Sequence, residues 1–275
     1  MADAQRPITV SIIGTCRVHH PLRGMVKQNL ISVNNGGMDT FVHSTSEILF
    51  RLKALLKLEK YEKDLVKFQV GEGENLILEP NKDYKFNNSD ILIIELSTIK
   101  AVFVEDKPLQ FNEVNRHVCT PFGEFGKSLR ANINNSFNTR SSSVEFPKDE
   151  LPETFGEDLQ NLVTRLRPLV MNSSEIAFDL DEIQRLAGIP ILLVNHINLP
   201  GRDGKLITSR NRLCAIVNEY AEARKIAIFN PITLFESHKP EELLMKNGED
   251  LNHYAKDKLD IVGLQQYHAI LEALN

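Results

Sequence analysis

Residues 90–96 read Asp90-Ile91-Leu92-Ile93-Ile94-Glu95-Leu96, a run too short and too β-branched for a helix and apolar on both faces of a strand. A strand of that kind needs cover on both sides, which points to a parallel sheet held between layers of helices. Ile8–Gly14, Ile189–Val194 and Ile226–Asn230 repeat the pattern, the last stopped by Pro231, and Thr40–His43 is a weaker fifth candidate.

Between these runs the apolar period lengthens to three or four residues. Ser44 and Glu47 have capping-box spacing ahead of a helix through residues 48–61. Leu159–Val170, Ser174–Leu186, Arg210–Arg224 and Gly263–Leu274 read as further helices, and Pro21 suits the first turn of one ending near Leu30. Alternating strands and helices predict an α/β chain: a doubly wound, flavodoxin-like, five-stranded parallel sheet with helices on both faces. Ligands of such sheets bind beyond the carboxyl ends of the strands, so residues there are the functional candidates.

The 275 residues are expected to form one domain, with an irregular insertion at about 100–157. Within it Gly126–Ser143 is rich in Asn and Ser and carries Lys127, Arg130 and Arg140 but no acid. That stretch reads either as a surface loop or as a lid over an anionic ligand. With 32 basic against 37 acidic residues the chain lacks the basic excess that marks nucleic-acid binders. No apolar run nears the roughly 20 residues of a membrane span. Three widely spaced cysteines without a CxxC pair argue against disulfides and structural zinc, so a cytoplasmic protein with no metal is expected.

The first strand ends in Gly14-Thr15-Cys16-Arg17, just ahead of a helix. A cysteine at a helix N-terminus is biased toward thiolate, which predicts a lowered thiol pKa, and a tight glycine turn lets backbone N–H groups approach a reacting oxygen. The other reading of Cys16 is a small buried hydrophobe. Near the C-terminus, Asp250-Leu251-Asn252-His253 precedes the last helix. An aspartate three residues before a histidine can orient the imidazole and stabilise its cation; the alternative is a turn cap beside a surface histidine.

Together the two motifs resemble the SGNH (GDSL-like) hydrolase superfamily. Gly14-Thr15-Cys16 takes the place of its first block, with Cys16 in the nucleophile slot, and Asp250-Leu251-Asn252-His253 matches its Asp-x-x-His block. Cysteine stands where serine is usual, which resembles the GSCFA and WcbI-like polysaccharide-biosynthesis branches. That resemblance implies acyl transfer or ester or thioester hydrolysis, with coenzyme A as an acyl donor, a saccharide or other small-molecule substrate, and no obligatory cofactor. After residues 90–96 the chain has Ser97-Thr98 where the family places an oxyanion-hole asparagine. The rival reading is therefore a catalytically inactive module that binds a sugar or nucleotide-like ligand. Gly36-Gly37 is either the family's oxyanion glycine or a plain turn.

Other strand-end residues complete the candidate set. His43 is a substrate contact or packs on its helix, and Glu95 is a site carboxylate or a buried ion pair. Arg17 is an anion clamp or a surface ion pair. Ser97 and Thr98 are substitute oxyanion donors, and His196 is a site residue or a loop cap. His19 and His20 lack metal-ligand spacing.

Overall fold

The computed structural model describes residues 6–34, 41–71, 86–139, 151, 155–201 and 203–275. In chain order its elements are β1 (Ile8–Ile13), α1 (Cys16–Lys27), β2 (Ile31–Val33), α2 (Thr45–Leu55), α3 (Val66–Val70), β3 (Ile91–Glu95), β4 (Lys100–Val104), β5 (Lys107–Leu109), α4 (Phe111–Val114) and α5 (Gly123–Thr139). There follow α6 (Glu157–Arg165), β6 (Leu166–Val170), α7 (Ser173–Ala187), β7 (Ile191–Val194), α8 (Thr208–Arg224), β8 (Ala227–Phe229), α9 (Pro240–Leu243), β9 (Leu244–Met245), β10 (Asp250–Tyr254) and α10 (Leu259–Leu274). They fall into two compact units: residues 1–43, 83–98 and 180–275, and residues 44–82 and 99–179. Where one domain with an irregular insertion was expected, the second unit gathers chain from both sides of β3.

The first unit holds the expected five-stranded parallel sheet, in the order β2-β1-β3-β7-β8. Strand alternation turns Val10, Ile12, Ile91, Ile93, Leu192 and Val194 into one core, shared with Val18, Leu22 and Met25 of α1 and Val262 and Ile270 of α10. Ile13, Leu92, Ile94 and Leu193 alternate with them and are no more than 2% exposed, so both faces of the sheet are covered. The second strand is Ile31–Val33; residues 41–43 of the expected strand are irregular, and Thr40 lies outside the described residues.

Pro21 sits inside α1, not in its first turn. It cannot donate to the Arg17 carbonyl four residues back. The side-chain amide of Gln266 on α10 donates there instead, at 3.0 Å. The two helices meet closely: a Cβ on Gly263 would lie 2.4 Å from the Pro21 carbonyl oxygen.

The second unit is built on an antiparallel sheet, β5-β4-β6. The helix expected over residues 159–170 stops at Arg165, because Pro168 forces Arg167 toward extended backbone, and Leu166–Val170 becomes β6. The Asn- and Ser-rich stretch is also regular. It forms α5, whose Gly126, Leu129, Ile133 and Phe137 are buried at helical spacing, the last three in the unit's core. That corrects the expectation of a loop or lid for residues 126–139; Arg130 is exposed on this helix, and Arg140 and Gly36-Gly37 lie outside the described residues. Lys127 is paired with Glu124 at 2.5 Å. No helix among the described residues is long and apolar enough to cross a membrane.

Candidate active site

The site is assembled in the first unit around one buried carboxylate. Glu95, fully buried at the end of β3, accepts hydrogen bonds from the backbone N–H of Thr15 at 2.7 Å and from its hydroxyl at 2.6 Å. It also accepts from Nε of Arg17, itself 7% exposed. The β1–α1 turn is thereby pinned to β3. Gly14 is required there, because a Cβ would stand 2.7 Å from the Glu95 Cβ. Glu95 thus takes its ion-pair reading, whereas Arg17, expected as an anion clamp or a surface ion pair, is the buried partner of that pair; Thr15 caps α1 with Cys16 as the first helical residue.

The Arg17 guanidinium bridges onward. Nη2 donates to Ser97 Oγ at 2.7 Å and Nη1 to the Asn252 carbonyl at 3.3 Å. Arg210, at the start of α8 and 8% exposed, grips the same segment. It donates to the Leu251 carbonyl at 3.1 Å, to Asn252 Oδ1 at 2.8 Å and to the Ile197 carbonyl at 2.9 Å. Two buried arginines therefore hold the strand that carries His253.

That strand, β10, pairs with β9 through an irregular register. Asn252 N–H donates to Asp250 Oδ1 at 2.9 Å, and His253 Nδ1–H to Asp250 Oδ2 at 2.9 Å. Burial pushes the Asp250 carboxyl up, but these two hydrogen bonds outweigh it and leave it below the usual carboxylate range. With Nδ1 committed, neutral His253 carries its lone pair on Nε2, and its side chain is 49% exposed.

Cys16, Arg17, His20 and His253 line one cleft of about 120 Å³, with Met245, Tyr254, Lys256 and Leu259. His20 was not singled out by its own motif, yet it lies one helical turn beyond Cys16 and so shares its face. Burial pushes its imidazole pKa down, with Arg23, His253 and Lys256 adding to the effect. The Cys16 thiol is pushed up, mainly by burial, whereas the sequence predicts a lowered value. Arg17, the Thr15 hydroxyl and the cysteine's own backbone N–H pull it back; Glu95 adds to the rise.

The remaining candidates are placed as follows. His43 acts through its carbonyl, which accepts from Ser97 N–H at 2.9 Å and Thr98 N–H at 3.2 Å, so these two donors are already engaged. His196 is 4% exposed at the end of β7, with Nδ1–H donating to the Ile197 carbonyl at 2.9 Å. Burial, helped by Arg17 and Arg210, pushes it down to about 2, so it stays neutral. Arg130 belongs to the second unit. Arg210 and Asn252 were not singled out in the sequence, because an arginine at the start of an ordinary amphipathic helix pattern leaves no motif and Asn252 is an unspecified position within Asp-x-x-His. Among the described residues no group of three or more His, Cys, Asp or Glu side chains is placed to hold a metal ion.

Residues 8–269 match the TviD N-terminal domain. The chain belongs to the TviD N-terminal domain family. This family member is 29% identical over 253 residues to the Vi polysaccharide biosynthesis protein TviD of Salmonella typhi, a match covering 90% of the chain. It spans only 29% of that relative's length. Solved structures similar to this TviD-type domain include a lipolytic G-D-S-L-family protein of Desulfitobacterium hafniense DCB-2, at 11% identity and TM-score 0.43 over 95% of this chain and 98% of that one. A GDSL-like lipase of Bacteroides thetaiotaomicron VPI-5482 matches at 12% and 0.41, over 99% and 94%. An acetylxylan esterase of Geobacillus stearothermophilus matches at 11% and 0.37, over 98% and 94%.

Proposed function

We propose that the first unit carries an acyl-transfer site in which Cys16 is the nucleophile, His253 the general base and Asp250 the group that orients it. The observation that carries this reading is that Cys16, at the head of α1, and His253, fixed by Asp250, line the same cleft. Acyl donors are thioesters such as acyl-coenzyme A, or acyl esters, and the acceptor is a saccharide hydroxyl or water. The relative's role in polysaccharide biosynthesis favours the saccharide.

Because burial raises the Cys16 thiol, His253 must take its proton as sulfur attacks the acyl carbonyl. The new C–S bond forms as the donor's C–S or C–O bond breaks, and His253 returns the proton to the leaving sulfur or oxygen. In the second half His253 Nε2 removes the acceptor's hydroxyl proton, oxygen attacks the acyl carbon, and the released sulfur takes the proton back. The backbone N–H of Cys16 at the head of α1 is the candidate donor for the oxyanion, since those of Thr15 and Arg17 serve Glu95 and the Thr15 hydroxyl and those of Ser97 and Thr98 serve His43.

The test is mass mapping after incubation with acetyl-coenzyme A or a p-nitrophenyl ester. An acyl group should appear on Cys16, vanish in Cys16→Ala, and form about 10²- to 10⁴-fold more slowly in His253→Ala. A second reading, an inactive module that binds a sugar or nucleotide-like ligand, is favoured by the raised thiol and the engaged Ser97 and Thr98 N–H groups. Ligand binding without acylation of Cys16 would establish it and overturn the first.

A further inference from the structure

The second unit contains a separate cleft of about 500 Å³, bounded by α2, β4, the turn into β5, the end of β6 and the first half of α7. Its volume lies in the range of small-molecule sites. The apolar stripe of α7 is satisfied elsewhere: Ile176, Leu180 and Ile183 are at most 2% exposed. Phe178 lies off that stripe and is 66% exposed, on the wall of this cleft. Phe50 and Phe103 supply two further rings. An open phenyl beside a cleft lined by two others is a surface awaiting an apolar face.

The polar lining narrows the choice of ligand. Asp179, 9% exposed, accepts the Thr45 hydroxyl through Oδ2 at 2.7 Å, while among the described residues Oδ1 has no hydrogen-bond partner. A ligand there should therefore donate a hydrogen bond. Lys107 is not available to an anion: Glu59 holds its ammonium at 3.1 Å, and it lies 5.6 Å above the Phe50 ring. Four carboxylates (Glu59, Asp106, Glu175, Asp179) face two lysines (Lys53, Lys107) around the cleft, which disfavours phosphate- or carboxylate-bearing ligands. A purely apolar chain would leave the Asp179 oxygen buried and unpaired. A neutral pyranose meets all three demands, since its C–H face stacks on phenyl rings and its hydroxyls donate to a carboxylate.

We propose that this cleft is a saccharide-binding subsite in which Phe178 stacks on a pyranose ring and Asp179 accepts from its hydroxyls. The choice of a saccharide rests in part on the acceptor named above; the cleft and its chemistry do not.

The test titrates the full chain with methyl glycosides of glucose, galactose and their N-acetylamino counterparts, and with short oligosaccharides, by saturation-transfer NMR and calorimetry. Binding should weaken at least tenfold in Phe178→Ala and in Asp179→Asn and stay unchanged in Cys16→Ala. Phe178 is too exposed for its loss to unfold the unit. No glycoside binding, equal binding by both variants, or capture of choline or a fatty acid in place of sugar would overturn it. The two readings fail separately. Acylation of Cys16 with glycoside binding unchanged in Phe178→Ala removes the saccharide cleft alone. Glycoside binding through Phe178 with no acylation of Cys16 removes the chemistry alone.

Discussion

The two units treat buried charge in opposite ways. In the first, Arg17 is buried against Glu95, and the pair is tied to the turn bearing Cys16, to Ser97 beyond β3 and to the strand bearing His253. In the second, Arg51 on α2 is 2% exposed, and among the described residues its Nη1 and Nη2 atoms have no hydrogen-bond partner. Burial pushes its guanidinium pKa down, with Tyr61 and Glu47 opposing. The first arrangement is a positioning device whose members need each other; the second is a buried charge offset by attraction to Glu47 and Tyr61 but with no hydrogen bond at either Nη.

Replacement of each arginine should break that comparison open. Arg17→Met leaves Glu95 buried without its cation, held only by the Thr15 N–H and hydroxyl, and should lower stability by about 3–5 kcal/mol. Arg51→Met removes a desolvated charge and should be neutral or stabilising by about 1–4 kcal/mol. Urea unfolding of both variants reads the difference directly. Equal losses at the two positions would mean that Arg51 has a partner as good as Glu95.

The units also differ in the sign of their pH dependence. His196, in the first, has its pKa lowered to about 2, so its contribution is present above the unfolded value near 6.5 and is lost as pH falls. Asp179, in the second, has its pKa raised to about 6, mainly by burial. Its contribution is present below the unfolded value and is lost as pH rises through 6. Relative to the parent, His196→Asn should gain roughly 2–3 kcal/mol as pH falls from about 6.5 to 4.5. Asp179→Asn should gain roughly 2–3 kcal/mol as pH rises from about 4 to 6.5. Denaturant midpoints across that window check both, and parallel profiles for the two variants would contradict the opposed burial.

The first unit was far more legible in the sequence than the second. Its strands are continuous apolar runs, so four of five were read directly; the fifth, Ile31–Val33, is three residues at a sheet edge, where little burial marks it. The candidate triad was visible because Cys16 and Asp250–His253 are local motifs at strand and helix boundaries. Glu95, Arg17 and Arg210 are joined only through long-range contacts, so their mutual roles had no sequence signal beyond a carboxylate in an apolar strand. In the second unit α5 hid its buried stripe behind Asn and Ser on the solvent side. In the sheet β5-β4-β6 the short outer segments contain Pro108 and Pro168, and although β4 and β5 form a hairpin, β6 pairs with β4 across more than sixty residues and leaves no local pattern.

The cysteines give the mildest test of the contrast, since one lies in the second unit and two in the first. Cys119 is 4% exposed, and burial pushes its thiol up to about 11. Cys214 is 6% exposed, raised by burial, and its thiol donates to the His196 carbonyl. Cys16 is also raised, but it is half-buried and opens on the cleft shared with His253. Alkylation depends on both thiolate fraction and access, so Cys16 should react first because access outweighs its unfavourable pKa. Iodoacetamide labelling at neutral pH with mass mapping should show Cys16 modified at least about tenfold faster than either of the others. Raising the pH should accelerate Cys16 labelling steadily, with no plateau near neutrality, because the thiol lies above and not below its ordinary value. A plateau by pH 7 would instead mark a preformed thiolate, and would show that α1 and His253 together overcome the burial.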